Sequence, residues 1–385
     1  MVASTTWSVA LLLSAVVAHP NHDASQEMAE RRSFLNSVRS TSLAHCAESL
    51  RARGVDARNA ARRSSLAQEA RFKRGLLDKR DAETVLGKSH NQTELGYSQN
   101  TDLATLFSGN NSCVLAPEVT EGPYYVSGEH VRRNVVDGQK GIDIVLDYQV
   151  IDVDTCKPVP NVYVEIWHCN STGVYSGVVA NGNGNAADQP NLSATFLRGI
   201  QETNSEGVVS FESLFPGHYG GRTTHIHVMV HANATLYQNQ TLGYETYASH
   251  VGQAFFDQSL ISGVELLEPY RSNEQALTTN AEDMILSQEA DADGVDPLMQ
   301  YALLGDSVSD GLLAWIAFGI NTSFASEVTA ASFLYDSGGV ENPNSGNGGR
   351  ASSSASASAS EALGPTKYAS DLAAMACFLG LAVFF

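Results

Sequence analysis

The sequence predicts an all-β fold, a single β-sandwich with short helical and loop additions. Three observations carry this reading. From residue 113 onward, short runs rich in Val, Ile, Tyr and Phe recur with turn residues between them. Within those runs, apolar and polar residues alternate with a period of two. Helix-like patterning is confined to a basic stretch before residue 80 and to a patch around Tyr247 to Ser262.

Taken in order, the run 141–152 reads as a strand whose Ile142, Ile144, Leu146, Tyr148 and Val150 face a core. Lys157-Pro158-Val159-Pro160-Asn161 turns the chain into a second strand at 162–167. A Gly/Asn-rich loop over 177–193 leads to a third strand at 195–201. Asn204-Ser205-Glu206-Gly207 has hairpin-turn composition and opens into Val208-Val209-Ser210-Phe211. The run His225-Ile226-His227-Val228-Met229-Val230-His231 completes the set, with β-branched or apolar residues at every second position.

The ends have a different composition. Residues 1–18 carry an apolar run closing on Val16-Val17-Ala18, a signal peptide too short to span a bilayer. From 19 to 80 there are thirteen Lys and Arg against seven Asp and Glu, whereas 81–385 holds ten against thirty-five; the whole chain sums to −19. The basic stretch is rich in helix formers and ends at Lys79-Arg80, so 19–80 reads as a helical pro-segment removed at a dibasic site. A helical dimerisation segment is its main competitor, and a nucleic-acid or membrane patch the weaker one. Residues 81–112 read as a linker, and 113–330 as the main folded domain.

Past 330 the chain reads as a Gly/Ser/Ala-rich stalk to 371, with a Ser-Ala repeat at 352–360. The apolar tail 372–385 follows small residues and a polar spacer, the pattern of a GPI-anchor signal. An exported protein tethered to the cell surface by a GPI anchor is the expectation. The sequons at Asn91, Asn110, Asn170, Asn191, Asn233, Asn239 and Asn321 agree with export, although a glycan at Asn170 would crowd the pocket mouth. The acidic remainder argues against nucleic-acid partners. Cysteine is too sparse for a disulfide scaffold. With Cys46 and Cys377 leaving with the ends, Cys113, Cys156 and Cys169 remain, and Cys113 is expected to bridge one of the other two.

Two stretches carry chemistry. On the strand at 225–231, His225 and His227 share a face about 6.6 Å apart along the backbone, while Ile226 and Val228 turn into the core. Upstream, Pro216-Gly217-His218-Tyr219-Gly220-Gly221-Arg222 makes a turn that brings Tyr219 and Arg222 back over the same spot. The second stretch, Trp167-His168-Cys169-Asn170-Ser171-Thr172-Gly173-Val174-Tyr175, is a strand running into a glycine turn that presents another tyrosine.

Together these stretches resemble the intradiol ring-cleavage dioxygenases. The pattern is Trp167-His168, Gly173-Val174-Tyr175, Pro216-Gly217-His218-Tyr219 and Arg222-Thr223-Thr224-His225-Ile226-His227, preceded by Thr120-Glu121-Gly122-Pro123-Tyr124-Tyr125. It covers about residues 113–270. The resemblance implies a non-haem Fe(3+) ion held by Tyr175, Tyr219, His225 and His227, a donor set of anionic oxygen and imidazole that suits a hard ion. It implies cleavage of a catechol between its hydroxylated carbons with O2, giving a muconate-type diacid. Tyr219 would leave the metal and serve as a base, Arg222 would stabilise charge on the substrate, and Gln253 would sit behind them. His168 and His218 adjoin ligands without belonging to the pattern. Only Gly220 and Gly221 separate Tyr219 from Arg222, a compact spacing that looks like an exported fungal branch. A cell-surface binding module with a vestigial metal site is the alternative function.

Overall fold

The computed structural model describes residues 42–76, 112–114, 122–232, 234–242, 247–248, 250–290, 295–324 and 326–345. The signal peptide, Lys79-Arg80, most of the linker, the Ser-Ala repeat and the apolar tail lie outside the described residues. Two helices come first, α1 (Ala47–Ala52) and α2 (Val55–Lys73). Then follow β1 (Ser112–Val114), β2 (Val126–Ser127), β3 (Asp143–Asp152), β4 (Tyr163–Trp167), β5 (Arg198–Glu202), β6 (Val208–Leu214) and β7 (His225–His231). Strands β8 (Tyr247–Ala248) and β9 (His250–Phe255) precede α3 (Gln258–Val264) and α4 (Met284–Ala290). The chain continues through β10 (Gln300–Leu303), β11 (Leu312–Ile320), β12 (Ser326–Glu327), β13 (Ser332–Tyr335) and β14 (Gly338–Glu341).

A five-stranded sheet runs β1-β11-β3-β6 with β10 beside β11, and a four-stranded sheet runs β5-β4-β7-β9. Between them lies the main core. Ile144, Leu146, Tyr148 and Val150 of β3, with alternate residues of β11, meet Val164 and Ile166 of β4 and Ile226, Val228 and Val230 of β7. The sandwich and the inward set of β3 are as the period-two pattern predicts. Burying so many aliphatic side chains, at roughly 1.5–3 kcal/mol each, is the main stabilising term.

Three expectations need correction. The patch from Tyr247 is mostly strand: β9 runs antiparallel to β7, and only Gln258–Val264 is helical. Ala254 enters the core while Val251 packs on the opposite side, so a period of two governs there. The chain does not loosen at 330, because β13 and β14 form a hairpin and β13 pairs in parallel with β2. Finally, Cys156 is bonded to Cys46, across 110 residues, and Cys169 is a free buried thiol, so Cys113 bridges neither.

That disulfide ties the N-terminal helices to the sandwich. Helix α2 lies on the outer face of the five-stranded sheet, where Ala60, Ala67 and Ala70 meet Val145, Leu313 and Trp315. Alanines at this spacing let the helix approach closely. Asp147, fully buried, takes Arg62 Nε at 2.8 Å and Arg63 Nε at 2.9 Å. Asn59 Nδ2 donates to Gln149 Oε1 at 2.7 Å. Among the described residues no helix is long and apolar enough to cross a membrane.

Candidate metal centre

The outer face of the other sheet carries the predicted site residues. On β7, His225 and His227 project there, opposite Phe255 and Gln253 of β9, and His227 lies opposite Trp167 of β4. Each ring is fixed by a neighbour. His225 Nδ1 lies 2.6 Å from the Thr223 carbonyl oxygen, which can only accept, so the proton is on Nδ1 and Nε2 is bare. The His227 ring stacks on Trp167 with centroids 4.8 Å apart and planes 4° from parallel.

Two tyrosines reach the histidines from separate loops. Tyr219 arrives on the Pro216 turn, closed by a bond from Arg222 N to Tyr219 O at 3.2 Å. Gly221 there has φ +87°, which a side chain would strain. Tyr175 follows Gly173, and a Cβ on Gly173 would sit 2.2 Å from the His218 carbonyl oxygen. That glycine lets the two tyrosine-bearing loops touch. Tyr175 is gripped through its backbone: Asn183 Oδ1 accepts from its N–H at 2.7 Å, and Asn183 and Asn191 each donate to its carbonyl at 2.8 Å. Asn191 is thereby spoken for, and its sequon is expected to be found unmodified on peptide mapping.

The donor atoms converge. Tyr219 Oη lies 3.3 Å from His225 Nε2, which lies 3.1 Å from His227 Nε2. Two donors each about 2.1 Å from one ion, at near right angles, would stand about 3 Å apart. Tyr175 meets Tyr219 edge to face at 5.4 Å and His227 at 6.0 Å. Its hydroxyl is buried without a hydrogen-bond partner. Burial pushes the Tyr219 phenol up to about 12, and burial with the neighbouring Tyr219 pushes Tyr175 well above its ordinary value. Neutral phenols so placed need a cation to ionise at ordinary pH. The residues therefore fit a hard metal ion, which Tyr175, Tyr219, His225 and His227 would hold.

Arg222 and Gln253 join them. Fully buried Arg222 donates from Nη2 to Gln253 Oε1 and from Nε to Asp283 Oδ2 at 2.9 Å. Gln253 Nε2 is buried without a hydrogen-bond partner. The two other histidines have structural roles. His168 bridges the Cys169 carbonyl and Ser213 Oγ, and His218 joins Glu265 Oε1 at 2.8 Å to the Gln275 carbonyl at 3.0 Å.

Sequence reasoning missed several residues. Tyr124 stacks on Tyr175 at 4.7 Å and stands edge-on to Tyr219 at 5.7 Å, its buried hydroxyl unpartnered. Arg198 clamps the Tyr124 and Ser176 carbonyls and lies 5.9 Å over the Tyr175 ring. Against it sits Glu129, at 3.6 Å, pushed up to about 8 by burial despite the pull of Arg198. A third aromatic in Pro123-Tyr124-Tyr125 was visible in the motif; Arg198 and Asp283 had no local signal.

A family model described as Dioxygenase matches residues 120–253, the stretch that holds all four candidate ligands, Arg222 and Gln253. The chain is 33% identical to an intradiol ring-cleavage dioxygenase from Tetranychus urticae over 96% of that chain and 55% of this one, with a TM-score of 0.44. The chain belongs to the intradiol ring-cleavage dioxygenases. Within the family it is also similar to catechol 1,2-dioxygenase 1 of Acinetobacter lwoffii, at 30% identity over 31% of this chain. It is 33% identical to catechol 1,2-dioxygenase 2 of the same organism over 30% of this chain. It spans only 42% and 46% of the lengths of those two relatives.

Proposed function

We propose that the chain is an exported ferric dioxygenase that cleaves a small aromatic diol between its hydroxylated carbons, using O2. One observation carries the reading. Three metal-competent side chains, Tyr219, His225 and His227, meet at hydrogen-bond distance, and Tyr175 packs edge to face against Tyr219 and His227 with its hydroxyl buried and without a hydrogen-bond partner. A ferric ion there would draw electron density from a bound diol and so make its ring reactive toward O2.

The chain's own residues do the rest. Tyr219, once ionised, is the base that takes a proton from the diol; its turn continues into Gly220, which is exposed. Arg222, pinned by Gln253 and Asp283, keeps its positive charge in a dry site, where it stabilises the anionic diol strongly. Tyr124, Val328, Ala330 and Ala331 pack with both ligand tyrosines in one apolar cluster and exclude water. Export rests on residues 1–18 and the sequons, and surface anchoring on the C-terminal tail.

Metal analysis of the purified protein tests the reading, together with oxygen uptake on catechol, protocatechuate, hydroxyquinol and lignin-like dimers. One iron per chain, a reddish tyrosinate colour and uptake with at least one diol are expected. Zinc in the site, or iron without uptake on any diol, would overturn it and leave a binding module.

A further inference from the structure

Asp283 lies thirty residues beyond the family match, and none of the site motifs contains it. It is 1% exposed, and both of its oxygens are engaged. Oδ2 accepts from Arg222 Nε at 2.9 Å and from Thr223 N at 2.8 Å. Oδ1 accepts from Ile285 N and Leu286 N, both at 2.9 Å, at the start of α4. One carboxylate thus ties the first turn of a helix to the peptide between Arg222 and Thr223.

That peptide governs two functional side chains. Its Arg222 end carries the guanidinium, held in plane by Asp283 on one edge and Gln253 on the other. Its other end is the Thr223 N–H, and Thr223, held there, presents from its own carbonyl in the next peptide the oxygen that takes the Nδ1 proton of His225 and leaves Nε2 bare toward the other donors. A carboxylate matches the need because it accepts four hydrogen bonds and cancels the buried Arg222 charge. No neutral side chain of that size does both.

We propose that Asp283 is a positioning residue for this centre, setting the tautomer and angle of His225 through Thr223 while aligning Arg222. The role in turnover rests on the dioxygenase reading; the His225 geometry does not. In wild-type protein without metal, the Thr223 amide and the His225 Nδ1 proton should be protected from exchange. The Thr223 amide should open together with the Ile285 and Leu286 amides, since one carboxylate holds all three, and the His225 Nδ1 proton should follow because Thr223 carries its acceptor. NMR of protein carrying nitrogen-15 histidine should show His225 as a single Nδ1–H tautomer.

Two variants separate positioning from helix capping. Asp283→Asn keeps the size and removes the charge. Asp283→Ser keeps a good helix cap but is too short to reach Thr223 and Arg222. Both should give mixed His225 tautomers and faster exchange of the Nδ1 proton. After iron loading, kcat/KM should fall by about 10–100-fold. Leu286→Ala, which weakens the same helix, should leave the His225 signal unchanged. Independent, rapid exchange of the Thr223 amide in wild type would overturn the proposal, and so would an unchanged His225 signal in both variants. An intact His225 response without oxygen uptake in any form would instead count against the dioxygenase reading.

Discussion

At their centres the two outer faces of the sandwich bury polar groups in opposite ways, although Arg74 Nη1 and Arg133 Nε near the C-terminal end of α2 also lack hydrogen-bond partners. Beneath α2, Asp147 is matched by Arg62 and Arg63, Asn59 by Gln149, and Gln149 in turn by the Glu206 carbonyl. Under the loops covering the four-stranded sheet, Tyr175 Oη, Tyr124 Oη, Gln253 Nε2, Arg198 Nη1 and both Glu129 oxygens are buried without hydrogen-bond partners, Glu129 having only its 3.6 Å ion pair with Arg198. Buried polar groups in a folded protein are overwhelmingly satisfied, and each unsatisfied one costs about 1–3 kcal/mol. One face is therefore arranged for stability. The other leaves polar groups that, on the proposed function, a metal ion, a substrate or water would satisfy.

The largest contrast comes from deleting one group on each face. Tyr175→Phe removes a proposed ligand oxygen that has no hydrogen-bond partner in the metal-free fold, so that fold should keep its stability. The visible colour should vanish and oxygen uptake should fall by more than about 100-fold, beyond the usual effect of a residue behind the ligands. Asp147→Ala should do the reverse. It strands Arg63, which is 1% exposed, and should cost about 3–5 kcal/mol in denaturant unfolding while the colour of the folded fraction is kept. A coloured Tyr175→Phe protein, or a fully stable Asp147→Ala protein, would break the comparison.

Next in size is the covalent tie on the stabilising face. Cys46 and Cys156 close a loop of 110 residues, so Cys46→Ser should cost up to about 4–5 kcal/mol. The same bond bears on the fate of the N-terminal segment. If export cleaves after Lys79-Arg80, the product should be two chains that separate on a gel only after reduction. A single chain starting near Asp81 without reduction would show that the helices leave, and that the face beneath them is bared in the working enzyme.

How much was legible follows the range of each interaction. The strand-borne pair His225 and His227, the tyrosine turns, and the inward residues of β3 were readable because period two and glycine turns are local rules. The nature of 250–255 was not, because its strand character depends on pairing with β7, a partner in space. Asp283 and Arg198 reach the site from distant segments, and no local pattern marks a residue that acts by closing a network. The pairing of Cys46 with Cys156 was missed for a similar reason: the basic stretch was read by its charge, while its alanine face, which docks it on the sheet, went unused.

The smallest effect concerns the ground between the two faces. His250 starts β9, and its Nε2 accepts from Asn321 N at 2.9 Å, which places its proton on Nδ1. Burial pushes it down to about 3, although Asp152 pulls the other way; His168, likewise buried, is pushed down to about 4. Each stays neutral in the fold while the unfolded chain takes up a proton below its ordinary value of about 6.5. The unfolded state then binds more protons, so stability is full above about pH 6.5 and falls as pH drops toward 4. The slope should be about 1.4 kcal/mol per pH unit for each histidine. In His250→Gln the amide oxygen can still accept from Asn321 N, but nothing titrates. Denaturant unfolding between pH 4.5 and 6.5 should therefore show a slope shallower by about one histidine's share, whatever metal the site holds. Equal slopes in the variant and wild type would mean that His250 carries its proton in the fold, and that the interior between the faces is wetter than its burial suggests.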